Sequence, residues 1–187
     1  IGKRFLLMSA NGVRRNGTAY QHTKHLAEEH LEASSLDWTI LRPSVIFGDP
    51  RGRMEFASQL LSDLVLSPMP APLFFPGVSV GQRGHFELSP VHVGDVATAF
   101  VKVLQEHSTH GSHLHLGGPD RLTWEEIIRT IAKAAGRTKL TIPVPATAVS
   151  AVSALLEHLE SFPITRDQIQ MLMEGNTCDP DDLIRLG

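Results

Sequence analysis

The sequence predicts an α/β fold built on a parallel sheet, and three observations carry that prediction. Lys3 to Ser9 reads Lys-Arg-Phe-Leu-Leu-Met-Ser, a short apolar run closed by Asn11-Gly12, as expected of a strand buried in a parallel sheet. The stretch from about Thr18 to Ala33 sets Ala19, Leu26, Ala27 and Leu31 among His, Lys and Glu, a helical period with a polar outer face. Trp38-Thr39-Ile40-Leu41-Arg42-Pro43 is again short and β-prone and runs on into Ser44-Val45-Ile46-Phe47-Gly48. Strand, helix and strand in this order make a parallel crossover. Ligands of such sheets gather beyond the carboxyl ends of the strands, which makes Ser9, Asn11, Pro43, Ser44, Val45 and Ile46 candidates for a site.

The helix carries the most distinctive chemistry. Tyr20, the only tyrosine, stands four residues before Lys24, so the two share one helix face. An ammonium beside a phenol favours the phenolate, which brings a group that normally titrates near pH 10 closer to neutrality and suits it to acid/base work on carbonyls and alcohols. The competing reading is a surface pair with no chemical role.

The remaining elements follow the same logic. Met54 to Leu66 is helical, with Phe56, Leu60, Leu61, Leu64 and Val65 as its apolar positions, and it stops before Ser67-Pro68-Met69-Pro70-Ala71-Pro72, whose prolines predict a stiff loop continued by Phe74-Phe75-Pro76-Gly77. Asp95 is placed to cap a helix over Val96 to Leu104. His113-Leu114-His115-Leu116 alternates like a half-buried strand with both histidines on one side. His110 is nearby, but no carboxylate or cysteine stands at a matching spacing, so no metal ligands are assigned. Thr123-Trp124-Glu125-Glu126 has the form of a capping box, and Ile127, Ile128, Ile131 and Ala132 give the helix an apolar face before Gly136. A strand at Leu140 to Pro143 follows, then helices over Ala146 to Leu159 and Arg166 to Glu174 whose Leu and Met stripes read as core.

Composition narrows the class. A chain of 187 residues with 42% hydrophobic residues supports one domain or two small lobes. A net charge of −3 without a run of Lys and Arg points to no nucleic acid and no acidic membrane surface. The lone Cys178 forms no internal disulfide and reads as an inert thiol in a reducing compartment, the cytoplasm. No apolar stretch approaches the roughly 20 residues of a transmembrane helix, and the run after Lys3-Arg4 is shorter than the about 7 apolar residues of a signal sequence.

Four motifs in order carry a family resemblance: Tyr20-x-x-x-Lys24; Leu41-Arg42-Pro43-Ser44-Val45-Ile46-Phe47-Gly48; Pro90-Val91-His92-Val93-Gly94-Asp95-Val96-Ala97; and Leu114-His115-Leu116-Gly117-Gly118-Pro119. Together they resemble the second half of an extended short-chain dehydrogenase/reductase, of the NAD-dependent epimerase/dehydratase superfamily. With Phe162-Pro163-Ile164-Thr165-Arg166-Asp167-Gln168 the chain looks most like the atypical group of the alpha-subcomplex-nine accessory subunit of respiratory complex I. The resemblance implies the remainder of a Rossmann-type parallel sheet and a small, mostly helical substrate-side lobe. Residues 1–48 and 88–117 would form the C-terminal half of the nucleotide-binding lobe, and 49–87 and 118–187 the substrate-side lobe, with Phe74 to Gly77 at its mouth.

The resemblance also assigns roles. Tyr20, Lys24, Asn11 and Ser9 would be catalytic, and Lys24, Pro43, Ser44, Val45 and Ile46 would hold NAD or NADP, Lys24 at the ribose and the others at the nicotinamide. Departures from the family pattern qualify these roles. No glycine-rich turn follows a strand to receive a pyrophosphate, and Gly81-Gln82-Arg83-Gly84 is a plain loop, so the chain reads as a C-terminal portion lacking βα units. Aligning Ser9 with the first Ser of the family's strand-end motif puts Asn11 where a Ser or Thr is usual, which keeps a hydrogen-bond donor but not a hydroxyl relay. Leu88 stands seven residues before Asp95, where relatives that bind nucleotide sugars carry an arginine for the diphosphate. The leading expectation is an NAD(P)-binding, reductase-like protein acting on an apolar or quinone-like small molecule. The alternatives are a non-catalytic nucleotide-binding scaffold and a nucleotide-sugar epimerase or dehydratase. An open sheet edge suggests a homo-oligomer.

Overall fold

The computed structural model describes residues 4–49, 51, 56–75, 86–145 and 166–186. The chain divides into two compact units, the first comprising Ile1–Asp49, Ser89–Arg121 and Asn176–Gly187 and the second Pro50–Leu88 and Leu122–Gly175. Asn176 to Gly187, assigned from sequence to the substrate-side lobe, therefore packs with the first unit, because a short helix there brings Leu183 and Leu186 onto the apolar core.

The first unit is the expected α/β sheet. Strands β1 (Arg4–Met8), β2 (Asp37–Pro43) and β7 (Ser112–Leu116) are parallel in the order β1-β2-β7. Helix α1 (Ala19–Glu32) crosses from β1 to β2. It starts at a capping box: Gln21 N–H donates to Thr18 Oγ1, while Thr18 N–H donates to Gln21 Oε1 at 2.8 Å. The Gln21 amide also donates to Gly12 O at 3.1 Å, which ties the preceding loop to the helix start.

Two short pieces depart from the expectation. Ser44 and Val45 interrupt what read as one continuous strand, and Ile46–Phe47 forms a separate strand β3 paired with β6 (Val91–His92). The N-cap of α3 (Val93–Gln105) is His92, whose Nδ1 accepts from Gly94 N–H at 3.1 Å; Asp95 lies exposed in the first turn. Asp95 thus complements the helix dipole rather than capping the helix. One face of the sheet meets α3 and α6 (Asp181–Leu186) in a core built on Leu41, Val96, Val103, Leu114, Leu116 and Leu186.

In the second unit, α2 (Phe56–Leu60) passes into a wider π turn over Leu61–Val65. The proline-rich stretch is a strand, not a loop: β4 (Ala71–Phe75) pairs in parallel with β9 (Thr141–Pro145), and Phe74 and Phe75 are buried. Proline is tolerated in so small a ladder because, among the described residues, neither strand has a neighbour on its other side. Helix α4 (Trp124–Ala134) carries the expected capping box between Thr123 and Glu126. Its Trp124 indole N–H donates to Pro72 O at 2.9 Å, and its ring meets Phe74 and Phe86. Strands β5 (Glu87–Leu88) and β8 (Leu122–Thr123) pair antiparallel, and α5 (Arg166–Met173) ends before Gly175, which has a φ of 74°. The expected helix Ala146 to Leu159 and the loop Gly81 to Gly84 lie outside the described residues. Among the described residues no helix is long and apolar enough to cross a membrane.

Candidate functional site

The carboxyl ends of β1, β2 and β7 lie side by side because backbone pairing continues past the strands. Ser9 N–H donates to Leu41 O, Asn11 N–H to Pro43 O and Ser44 N–H to Leu116 O, at 2.8, 2.9 and 3.0 Å. Helix α1 brings Lys24 to the same end, where its ammonium donates to Met8 O at 3.0 Å and lies 5.9 Å from the centre of the Tyr20 ring. The lysine therefore does meet both the strand end and the tyrosine.

The expected electrostatic effect on the phenol is not observed. Tyr20 is 46% exposed, and burial of the remainder raises its pKa above the ordinary value. The Lys24 ammonium donates to Met8 O rather than to the phenol and lies at the outer range for a cation over a ring, so burial is what sets the direction of the Tyr20 shift.

Asn11 also differs from the expectation. Its amide donates to Asn176 Oδ1 at 2.9 Å and to Thr177 O at 3.0 Å, and its Oδ1 pairs with His115 Nδ1 at 3.2 Å. Both amide hydrogens are committed within the chain, so Asn11 acts here as a strut and has no donor left for a carbonyl. Ser44 is buried and donates through Oγ to Asn176 O at 2.8 Å, while Val45 O accepts from Val91 N–H. Pro43 is buried, and Val45 and Ile46 are partly exposed at the end of β2.

Beneath α1 lies a polar layer whose parts the sequence reading did not connect. Arg42 donates to both oxygens of Glu28, from Nε at 2.9 Å and from Nη2 at 2.6 Å, and Glu28 is only 1% exposed. Burial pushes the Glu28 carboxyl up, but the Arg42 hydrogen bonds, the Ser9 hydroxyl and the charges of Arg42 and His113 outweigh it and hold the group below the ordinary carboxylate range. Ser9 is 3% exposed; its hydroxyl faces this carboxylate without closing a hydrogen bond of ordinary geometry. His113 Nε2 pairs with Glu32 Oε1 at 2.9 Å.

Carboxylates do accompany a strand histidine in space, although none stands at a matching spacing in the sequence. The ligand-type atoms of Glu28, Glu32 and His113 lie within 4.8 Å of one another, because carboxylates four apart on α1 face β7. Arg42 already neutralises Glu28, so the group works as a charge network. One signal was available in the sequence: Arg42 is a charge inside an apolar strand, which calls for a buried partner.

His115 belongs to the same layer. Burial and then the nearby Arg42 charge lower its pKa, against an opposing pull from Asp182. A histidine with a depressed folded pKa, like a carboxylate with one, makes the fold bind fewer protons than the unfolded chain, so stability falls as pH falls. The His115 contribution begins near its unfolded pKa of about 6.5 and the Glu28 contribution near about 4.3. We expect urea midpoints to decline from about pH 6.5 downward in two stages, and His115→Gln to remove the upper one. Cys178 is pushed up to about 11 by burial and by Asp179, which makes its thiol a poor nucleophile.

Residues 2–63 match the family model described as NAD(P)H-binding. The chain is 25% identical over 153 residues to NADH dehydrogenase (ubiquinone) 1 alpha subcomplex subunit 9 of Dictyostelium discoideum, covering 80% of this chain and 40% of that protein. It is 27% identical over 182 residues to the uncharacterized oxidoreductase YesF of Bacillus subtilis strain 168, covering 96% of this chain and 49% of that one. Among solved structures, a nucleoside-diphosphate-sugar epimerase from Staphylococcus aureus superposes with a TM-score of 0.69 at 16% identity, over 98% of this chain and 60% of that one. The chain thus spans less than half the length of these two relatives in sequence. The chain is thus similar in sequence to a complex I subunit 9 and to a bacterial oxidoreductase, residues 2–63 match an NAD(P)H-binding family model, and its fold is like that of a nucleoside-diphosphate-sugar epimerase.

Proposed function

We propose that the protein containing this chain binds NAD or NADP at the carboxyl ends of β1 and β2 and is a reductase or dehydrogenase acting on an apolar or quinone-like small molecule. The observation that carries this reading is Lys24, held at the end of β1 beside Tyr20 within the stretch matched by the NAD(P)H-binding model. The residues suit the nicotinamide half of a dinucleotide: Lys24 would meet the ribose hydroxyls, and Pro43, Ser44, Val45 and Ile46 would line the ring. When bound, the dinucleotide would supply hydride transfer. Tyr20 would hold and release the matching proton at its hydroxyl, and Lys24, moved from Met8 O toward it, would bring its pKa down. Ser9, whose hydroxyl faces the Glu28 carboxylate without closing a hydrogen bond of ordinary geometry, is the better candidate to turn toward a substrate oxygen, since Asn11 is committed elsewhere.

A second reading, a scaffold that holds the nucleotide without turnover, is favoured by the raised Tyr20 pKa and the committed Asn11 amide. Epimerisation of nucleotide sugars is disfavoured by Leu88, which is buried and offers no cation where relatives carry an arginine. Among the described residues β1 pairs on one side only and carries the half-exposed Phe5 and Met8, which supports association of copies of this chain. The lone, poorly reactive Cys178 supports a reducing cytoplasmic setting.

Titration of the full-length protein with NADH and NADPH, followed by ligand fluorescence and by the rise in Tm, tests the nucleotide reading. We expect saturable binding of one of them, weakened about tenfold by Lys24→Met. Binding of neither would overturn the reading.

A further inference from the structure

The segment entering α6 crosses the ends of all three strands of the first sheet, and one residue in it makes most of the joints. Asn176 O accepts from Ser44 Oγ at 2.8 Å and from Ser89 N–H at 2.9 Å, while Asn176 Oδ1 accepts from the Asn11 amide at 2.9 Å. Thr177 O takes the second hydrogen of that amide. One residue further, Cys178 lies so close to Gly117 after β7 that a Cβ on the glycine would come within 2.6 Å of the Cys178 carbonyl oxygen. Asp182 then accepts from His115 N–H at 2.9 Å. Asn176 therefore bridges the loop after β1, the turn after β2 and the start of β6.

We propose that Asn176 is a positioning residue that fixes the separation of Asn11 and Ser44, and through them the shape of the strand-end site. Its importance for binding rests on the nucleotide reading above. The loop leaving β1 leads directly into the helix bearing Tyr20 and Lys24, and Ser44 opens the segment assigned to the nicotinamide. A clamp joining these two walls adds to the Asn11 N–H to Pro43 O bond between them and further limits their relative motion before any ligand arrives, so a ligand spanning them has less to order on binding. Asn suits the task because its backbone carbonyl and side-chain carbonyl accept from different walls.

The test uses the full-length protein with Asn176→Ala, which deletes the side-chain acceptor, and Asn176→Asp, which retains one. In hydrogen exchange without nucleotide, the alanine variant, which loses only the side-chain tether to Asn11, should exchange about tenfold faster at residues 9–13 and unchanged at α4, with the aspartate variant close to wild type. Its Kd for the preferred dinucleotide should rise about fivefold. If Asn176→Ala does not fold, Asn11→Ala removes the same bond from the other side and should speed exchange at 176–178. Unchanged exchange at these segments, a uniform increase throughout the first unit, or local loosening with a wild-type Kd would overturn the proposal. A wild-type protein that binds neither NADH nor NADPH would instead overturn the nucleotide reading, and the local exchange rates would still decide whether the clamp exists.

Discussion

Replacing Arg42 with leucine should destabilise the first unit by about 3 kcal/mol, because the substitution strands a carboxylate that is almost wholly buried. Glu28 keeps its charge through two hydrogen bonds from Arg42, then the Ser9 hydroxyl, then the charges of Arg42 and His113. Without the guanidinium, burial dominates and the carboxyl must either take up a proton or draw water beneath α1. The figure sits at the low end for a broken buried pair because the Arg42 side chain is still 23% exposed. Glu28→Gln should cost less, since arginine can turn toward solvent while the amide still accepts one hydrogen bond. The double variant with leucine at both positions should recover much of the loss, as expected where an ion pair is replaced by apolar packing. Urea denaturation near pH 7.5 reads all three differences. An Arg42→Leu protein within about 0.5 kcal/mol of wild type would mean that solvent already reaches Glu28.

This pair also shows where the sequence was legible and where it was not. The strand, helix and strand of the first unit were readable because each is local: the apolar run of β1, the period of α1 and the β-prone run of β2 need no distant partner to be seen. The capping box at Thr123 was readable for the same reason. Misreadings arose where a distant neighbour decides the outcome. Pro70 and Pro72 say loop, but β9, about seventy residues later, supplies the ladder that makes Ala71–Phe75 a strand. Asp95 is a local exception: it has the chemistry of a cap, but the helix begins two residues before it and His92 takes the position. Asn176 shows no local signal at all, because its role consists of bonds to residues far back in the chain. The Tyr20 and Lys24 spacing located the pair correctly but not its electrostatics, since spacing fixes a shared face and leaves open which acceptor the ammonium chooses.

That choice makes Tyr20→Phe the most decisive substitution for activity. If the full-length protein transfers hydride, the phenylalanine variant should lose about 10²-fold or more in kcat while Tm and dinucleotide Kd stay near wild type, because the partly exposed hydroxyl contributes little to the fold. Lys24→Met should lower both kcat and affinity, since the same ammonium is proposed to meet the ribose and to lower the phenol pKa. The pH profile separates that role from a structural one. The wild-type rate should rise toward the pH at which the bound-state phenol ionises, and Lys24→Met should shift this limb upward, toward the raised value that burial imposes on Tyr20. A scaffold gives a different pattern, with Tyr20→Phe silent and Lys24→Met lowering only nucleotide retention and thermal stability. Equal kcat for Tyr20→Phe and wild type in a verified hydride-transfer assay would remove Tyr20 from the chemistry and leave Lys24 as a nucleotide-binding residue alone.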